Sequence, residues 1–168
     1  MPRKADRRDR PLTPTERALA ASMFGAAVDY DAVRICHRRW WPFQPRHVTM
    51  APDGNLWFHP QAEHYCDDFC ATPSLALQGH FLHEMTHVWQ AQTHGRWYLP
   101  LRRHPFCRYD YVFEPGRPFD RYGLEQQAEI VRHAFLLRRG RAVAGKPGRE
   151  AYEALLPFAP GEAPPPRS

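Results

Sequence analysis

His80-Phe81-Leu82-His83-Glu84-Met85-Thr86-His87-Val88-Trp89-Gln90, residues 80–90, decides the reading of this chain. It lies in a proline-free window between Pro73 and Pro100. The chain has 168 residues and 18 prolines, roughly twice the ~5% of average usage. A long helix cannot carry proline in its interior, so the window predicts one. Thr72 as N-cap with Pro73 at the first helical position starts it, and Gly95 ends it after about Thr93. Leu75, Leu82, Met85 and Trp89 recur at helical period, and Phe81 and Val88 widen the stripe. The helix is therefore expected to be buried on more than one side.

Within it, residues 83–87 read HExxH. Histidines at i and i+4 lie on one side of a helix, one turn apart, and can bind one Zn²⁺ without straining the backbone. Glu84 is rotated about 100° from His83. It is misplaced as a third ligand but can reach a metal-bound water as general base. The pattern also arises by chance, so context must support it. An unpaired Glu84 among Phe81, Leu82, Met85, Val88 and Trp89 is costly to bury.

A third ligand must come from elsewhere. Gln90 stands where a helix-breaking glycine would precede a third histidine, Thr93 stands at that histidine's position, and His94 is one residue late. The second proline-free window, between Pro118 and Pro147, contains LEQQAEIV at 124–131. Glu125 and Glu129 are four apart and share a helical face, the gluzincin-type arrangement. One carboxylate would bind zinc and the other would hold the second ring N–H of a ligand histidine. Leu124 and Ala128 favour Glu125 as the ligand and Glu129 as its support, with the reverse assignment open. On a solvated face the same pair would engage Arg121 or Arg132. His133, Tyr122, Tyr109 and Tyr111 are candidates to stabilise an oxyanion. His59 is a candidate cleft residue, and His80 reads as a surface group.

The rest of the chain is read from punctuation. Residues 1–11 read as a disordered basic arm, 12–157 as one domain, and 158–168 as a proline-rich tail. Thr13-Pro14-Thr15-Glu16 carries a capping box, so a short helix should run to Phe24 and stop at Gly25. Residues 32–36 suggest a strand, 38–47 an irregular segment, and 47–50 with 56–59 a hairpin about Pro52-Asp53-Gly54-Asn55. Aromatics in this region are expected to pack a core. Residues 96–119 read as a long connection, 124–139 as the second long helix and 149–156 as a short one.

The net charge is +5, but residues 1–10 alone hold five Lys/Arg against two Asp. The excess belongs to the arm, so nucleic acid is not the expected partner. No apolar stretch spans a membrane, and no apolar segment follows the basic N-terminus as in a signal peptide. A cytoplasmic location is expected, with Cys36, Cys66, Cys70 and Cys107 as thiols. Cys66 and Cys70 with His64 form only a weak metal pattern.

The order VRIC, NLWFHP, HEMTHVWQ, LEQQAE resembles the small bacterial zincin-like domains found with contractile injection systems. RRWWPFQP (38–45), RRHPFCRYDY (102–111) and YGLEQQAEIVRH (122–133) are similar to the "Vgr-related" proteins. The resemblance covers roughly residues 12–140. It implies a minimal zincin fold and association with a secretion spike, with export by a contractile (type VI) secretion system. Glu129 departs from it, standing where many relatives have Asp.

The combined expectation is an α+β, gluzincin-type metallopeptidase: a small sheet packed on the HExxH helix, plus a second ligand-bearing helix. Residues 55–59 would form the sheet edge beside the cleft, where an extended peptide could add as a strand. His83, His87 and Glu125 would bind Zn²⁺, and Glu84 would activate water to hydrolyse a peptide or protein substrate. The rival is a non-catalytic zinc-binding adaptor or cargo module of an injection apparatus.

Overall fold

The computed structural model describes residues 9–71, 73–102 and 108–161. Strands β1 (Asp9–Pro11), β2 (Arg34–Cys36) and β3 (Leu56–Trp57) form a small mixed sheet in the order β1-β2-β3. β1 and β2 are antiparallel, with Arg10 opposite Ile35. β2 and β3 are parallel, with Ile35 opposite Leu56. Five helices pack around it: α1 (Pro14–Phe24), α2 (Leu75–His94), α3 (Tyr98–Arg102), α4 (Leu124–Arg138) and α5 (Arg149–Leu155).

Local chemistry sets the helix ends. The Thr13 hydroxyl accepts from the Glu16 backbone N–H, and Glu16 accepts from the Thr13 N–H, the reciprocal pair expected of a capping box. α2 begins two residues later than its sequence suggests, because Ser74 is the cap and accepts from Leu77 N–H. Thr72 lies outside the described residues. Gly95, at φ 93°, ends α2 in a conformation that side chains rarely adopt.

α2 is apolar on most sides and is buried accordingly. Phe81, Leu82, Met85 and Val88 are fully buried, as are Ile130 and Val131 of α4. Phe58, Phe69 and Phe81 stack in series with ring centroids 5.4 Å apart, joining the sheet to α2. This packing holds α2 and α4 side by side.

Both ends of the chain and the expected hairpin differ from expectation. Residues 9–11 are not part of a loose arm. Arg10 reaches from β1 to both oxygens of Glu16 at 2.8 and 2.9 Å, and Asp9 accepts two bonds from Arg38. A buried carboxylate, rather than solvent, takes that cation, while residues 1–8 lie outside the described residues. At the other end Phe158 is buried against Phe24 and Trp89, with centroids 4.9 Å away in each case. The packed body therefore extends past 157, and 162–168 lie outside the described residues.

The hairpin shrinks to one bridge, Met50 with Trp57. The Gln44 amide replaces its next rung by donating to the carbonyls of Val48 and Trp57. Trp57 is bridged to Met50, and the 47–49 segment, rather than residues 55–59, lines the cleft. The aromatics of 40–43 do not join the core either. Trp40, Trp41 and Phe43 are exposed on a loop pinned by Gln44. Among the described residues no helix is long and apolar enough to cross a membrane.

Glu16 is fully buried, and it also accepts from Phe69 N–H, so it ties β1, α1 and the 66–70 loop together. Glu16→Gln keeps its shape but leaves Arg10 without its counter-charge. It should cost about 3 kcal/mol, the low end for breaking a buried pair because Arg10 stays partly exposed. Thermal melting should show a drop of roughly 6–12 °C, whereas a drop under about 2 °C would remove Glu16 from this role.

Candidate metal centre

α2 and α4 bring the two sequence motifs face to face. His83 Nε2 lies 3.2 Å from Glu125 Oε2, and His87 Nε2 lies 3.1 Å from the same oxygen. Among the described residues, His83, His87 and Glu125 are the group of side chains whose donor atoms lie close enough to hold a metal ion. All three are buried.

The other ring nitrogens fix the tautomers. His83 Nδ1 is 2.8 Å from Glu129 Oε1, and His87 Nδ1 is 2.8 Å from Gln90 Oε1. Both partners are acceptors, so each Nδ1 carries the hydrogen. Gln90 is held in that orientation because its amide donates to Leu124 O and to Gln127 Oε1. In the neutral tautomers, both Nε2 lone pairs then point at one carboxylate oxygen. Three electron-rich atoms converging in a buried space repel one another unless a cation lies between them. Two imidazole nitrogens with one carboxylate oxygen fit a divalent transition metal.

A proton can stand in for that cation. Burial pulls His83 down, but hydrogen bonds to Glu125 and Glu129 outweigh it and raise its pKa to about 9. Burial pushes Glu129 up, yet His83, Arg132 and His133 hold it below the usual carboxylate range.

Glu84 projects into a cleft of about 450 Å³, beside His83. Its Oε2 is buried and has no hydrogen-bond partner among the described residues, and its Oε1 is 4.0 Å from His80 Nε2. Thr49 stands opposite, its hydroxyl 3.0 Å from His80 Nε2 and 2.8 Å from His64 Nε2. His47, Val48, Tyr109 and Arg132 complete the lining.

Of the weaker sequence candidates, Tyr109 lines the cleft, its ring stacked on that of His83 with centroids 6.0 Å apart, and the others lie elsewhere. His133 stands behind Glu129, 3.5 Å from Oε2, and its Nδ1 is 2.7 Å from Tyr111 Oη, which in turn meets Tyr152 Oη. Tyr122 is buried and accepts from Glu114 N–H. His59 is buried against Arg39 and Gln61. None of the three lines the cleft, because each points from its element into the packed interior. Cys66 and Cys70 are free thiols beside α1 and do not join the metal-binding group, while Cys107 lies outside the described residues.

Sequence reasoning missed Gln90, Thr49 and Arg132 as parts of the site, and took His80 for a surface group. Only Gln90 left a signal, its place three residues after His87 on the same helix.

The arrangement defines a protein with a small mixed sheet packed against helices and a His-His-Glu cluster, capable of holding a metal, beside a polar cleft. No family model matches the chain. It is 38% identical over 134 residues to the type VI secretion system spike protein VgrG2b of Pseudomonas aeruginosa, covering 76% of this chain but only 13% of the spike protein. The solved effector domain of VgrG2b from that organism matches with a TM-score of 0.67 at 33% identity, over 86% of this chain and 80% of that domain. The chain belongs to the family of the VgrG2b effector domain.

Protonation of His83 can be followed by pH in the chelator-treated protein. A raised His83 contributes stability that is fully present below pH 6.5 and is lost as pH rises through about 9. The melting temperature should fall across that window, and less so in His83→Gln. Added zinc needs neutral His83, so its stabilising increment should grow over the same range. Identical profiles for the wild type and His83→Gln would refute a proton held by His83 between Glu125 and Glu129.

Proposed function

We propose that this chain is a minimal zincin-like, gluzincin-type metallopeptidase in which His83, His87 and Glu125 hold Zn²⁺. The observation that carries the reading is the convergence of two ring lone pairs and a carboxylate oxygen at one buried point. Zinc bound there would supply Lewis acidity toward a peptide carbonyl.

The remaining chemistry falls to the chain's own side chains. Glu84 has a carboxylate oxygen with no hydrogen-bond partner among the described residues, at the cleft wall beside His83. It takes a proton from water in the cleft and returns it to the departing amine. Glu129 orients His83, and Gln90 orients His87. His133, Tyr111 and Tyr152 form a buried chain behind Glu129 that limits its rotation. The cleft lies next to the triad, which supports a reactive site over a structural one, since structural zinc usually has four protein ligands.

Similarity to the VgrG2b spike protein and its effector domain supports a role as a secreted effector carried by a spike protein of a type VI system. Synthesis in the cytoplasm followed by export through that apparatus fits the reading. The adaptor alternative keeps the metal site and the partner but assigns no turnover.

Purified protein should contain about one zinc per chain by elemental analysis. Glu84→Gln should retain it and lose at least about 10²-fold in peptide hydrolysis. Joint replacement of His83 and His87 by alanine should abolish zinc binding, and retention there would refute the site. A protein that binds zinc but cleaves no peptide would leave the adaptor reading standing.

The chain behind Glu129 has its own test. His133→Gln and Tyr111→Phe should each weaken zinc binding by roughly tenfold in competition with a chelator. Unchanged affinity in both would mean that Glu129 is held without them.

A further inference from the structure

Arg132 is a cation in the cleft that the chemistry above does not use. Its side chain runs from α4 across α2 at Gly79, where a Cβ would lie 3.3 Å from Arg132 Cγ and 3.6 Å from its Nε. Glycine inside a helix is unfavourable relative to alanine. Nothing in the backbone of α2 requires it at 79, since that residue is not among the glycines with positive φ. What it provides is room for the Arg132 stem to lie against the helix and reach the cleft wall.

The guanidinium is only partly engaged there. Nη1 lies 3.3 Å from each oxygen of Glu129, longer than the roughly 2.7–2.9 Å of a tight charge-assisted bond. Glu129 is committed to His83 Nδ1 at 2.8 Å. Nε is buried with no hydrogen-bond partner among the described residues, yet the side chain as a whole is 38% exposed. That partly exposed side chain lines the cleft together with His47, Thr49 and His80. A planar cation held at its stem with outer N–H groups facing a cavity is suited to a carboxylate.

We propose that Arg132 recognises a carboxylate on the substrate, next to the bond to be cut. This rests on the peptidase reading and narrows its substrate class to peptides with an acidic side chain or a free C-terminus at that position. Arg132 is a specificity residue here, and Gly79 makes its position possible.

The test uses the zinc-loaded full chain carrying Glu84→Gln, which binds without turnover. Four hexapeptide pools are presented in equilibrium dialysis. Two contain Asp and Glu, ending in a free acid or an amide, and two have Asn and Gln instead, with the same two ends. Pools bearing a carboxylate should bind at least about tenfold more tightly than the amidated Asn/Gln pool. Preference among amidated pools assigns the side chain, and preference among Asn/Gln pools assigns the C-terminus.

Adding Arg132→Gln should bring the ratio to within about twofold of one, with Arg132→Lys between, since lysine keeps the charge but not the fork. Comparing two ligands on one protein cancels any uniform loss from the Glu129 contact. A ratio that survives Arg132→Gln assigns the preference to zinc and overturns the proposal, as does the absence of any preference or of any binding. Cleavage of the same pools by the wild type separates the two readings. Carboxylate-selective binding with no cleavage overturns the peptidase reading alone, and cleavage with no carboxylate preference overturns the role of Arg132 alone.

Discussion

His83 Nε2 and His87 Nε2 both approach one oxygen of Glu125, inside a protein where none of the three can turn to water. Much of the surrounding architecture follows from keeping those atoms together against their mutual repulsion. α2 supplies the two rings from consecutive turns, and α4 supplies the carboxylate. The apolar contact between these helices therefore sets the spacing of the polar cluster. The stack of Phe58, Phe69 and Phe81 fixes α2 to the sheet, so movement of α2 would also disturb the core.

The polar atoms around the cluster act in layers. Glu129 and Gln90 take the Nδ1 hydrogens, which aims the Nε2 lone pairs. Gln90 is locked in turn by Leu124 O and Gln127, and Glu129 is backed by His133 and Arg132. Each buried polar atom thus limits the rotation of the next, which is how a low-dielectric interior converts hydrogen bonds into orientation. Glu84 differs in kind. Its Oε2 has no such partner among the described residues, and a buried carboxylate oxygen left in that state is a cost that a reactive group can justify.

Membership in the family of the VgrG2b effector domain accounts for the overall shape, while the cleft carries the features that set this chain's chemistry. One wall is made of residues from α2 and α4, and the other comes from the 47–49 segment. That second wall exists because the Gln44 amide draws Val48 and Trp57 together in place of a longer hairpin.

The sequence by itself determined the helices other than α3, which falls in the stretch read as a connection, and the pair of motifs on α2 and α4. Proline-free windows, the caps at Thr13 and Gly95, and the i, i+4 spacing of His83 with His87 and of Glu125 with Glu129 are local properties of a 3.6-residue turn. Local rules also misled, as with the arm at 9–11 and the start of the tail at Phe158, because β1 pairs with β2, Arg10 reaches the Cys66 carbonyl and Phe158 packs on Trp89, all far along the chain. Which carboxylate faces both histidines, which of His133, Tyr122 and His59 stays out of the cleft, and which of His80, Thr49 and Arg132 enters it were decided only by tertiary structure. Those outcomes depend on the rotation of α4 about its axis against α2 and on the path of a loop, and neither is encoded in the spacing of residues within one element.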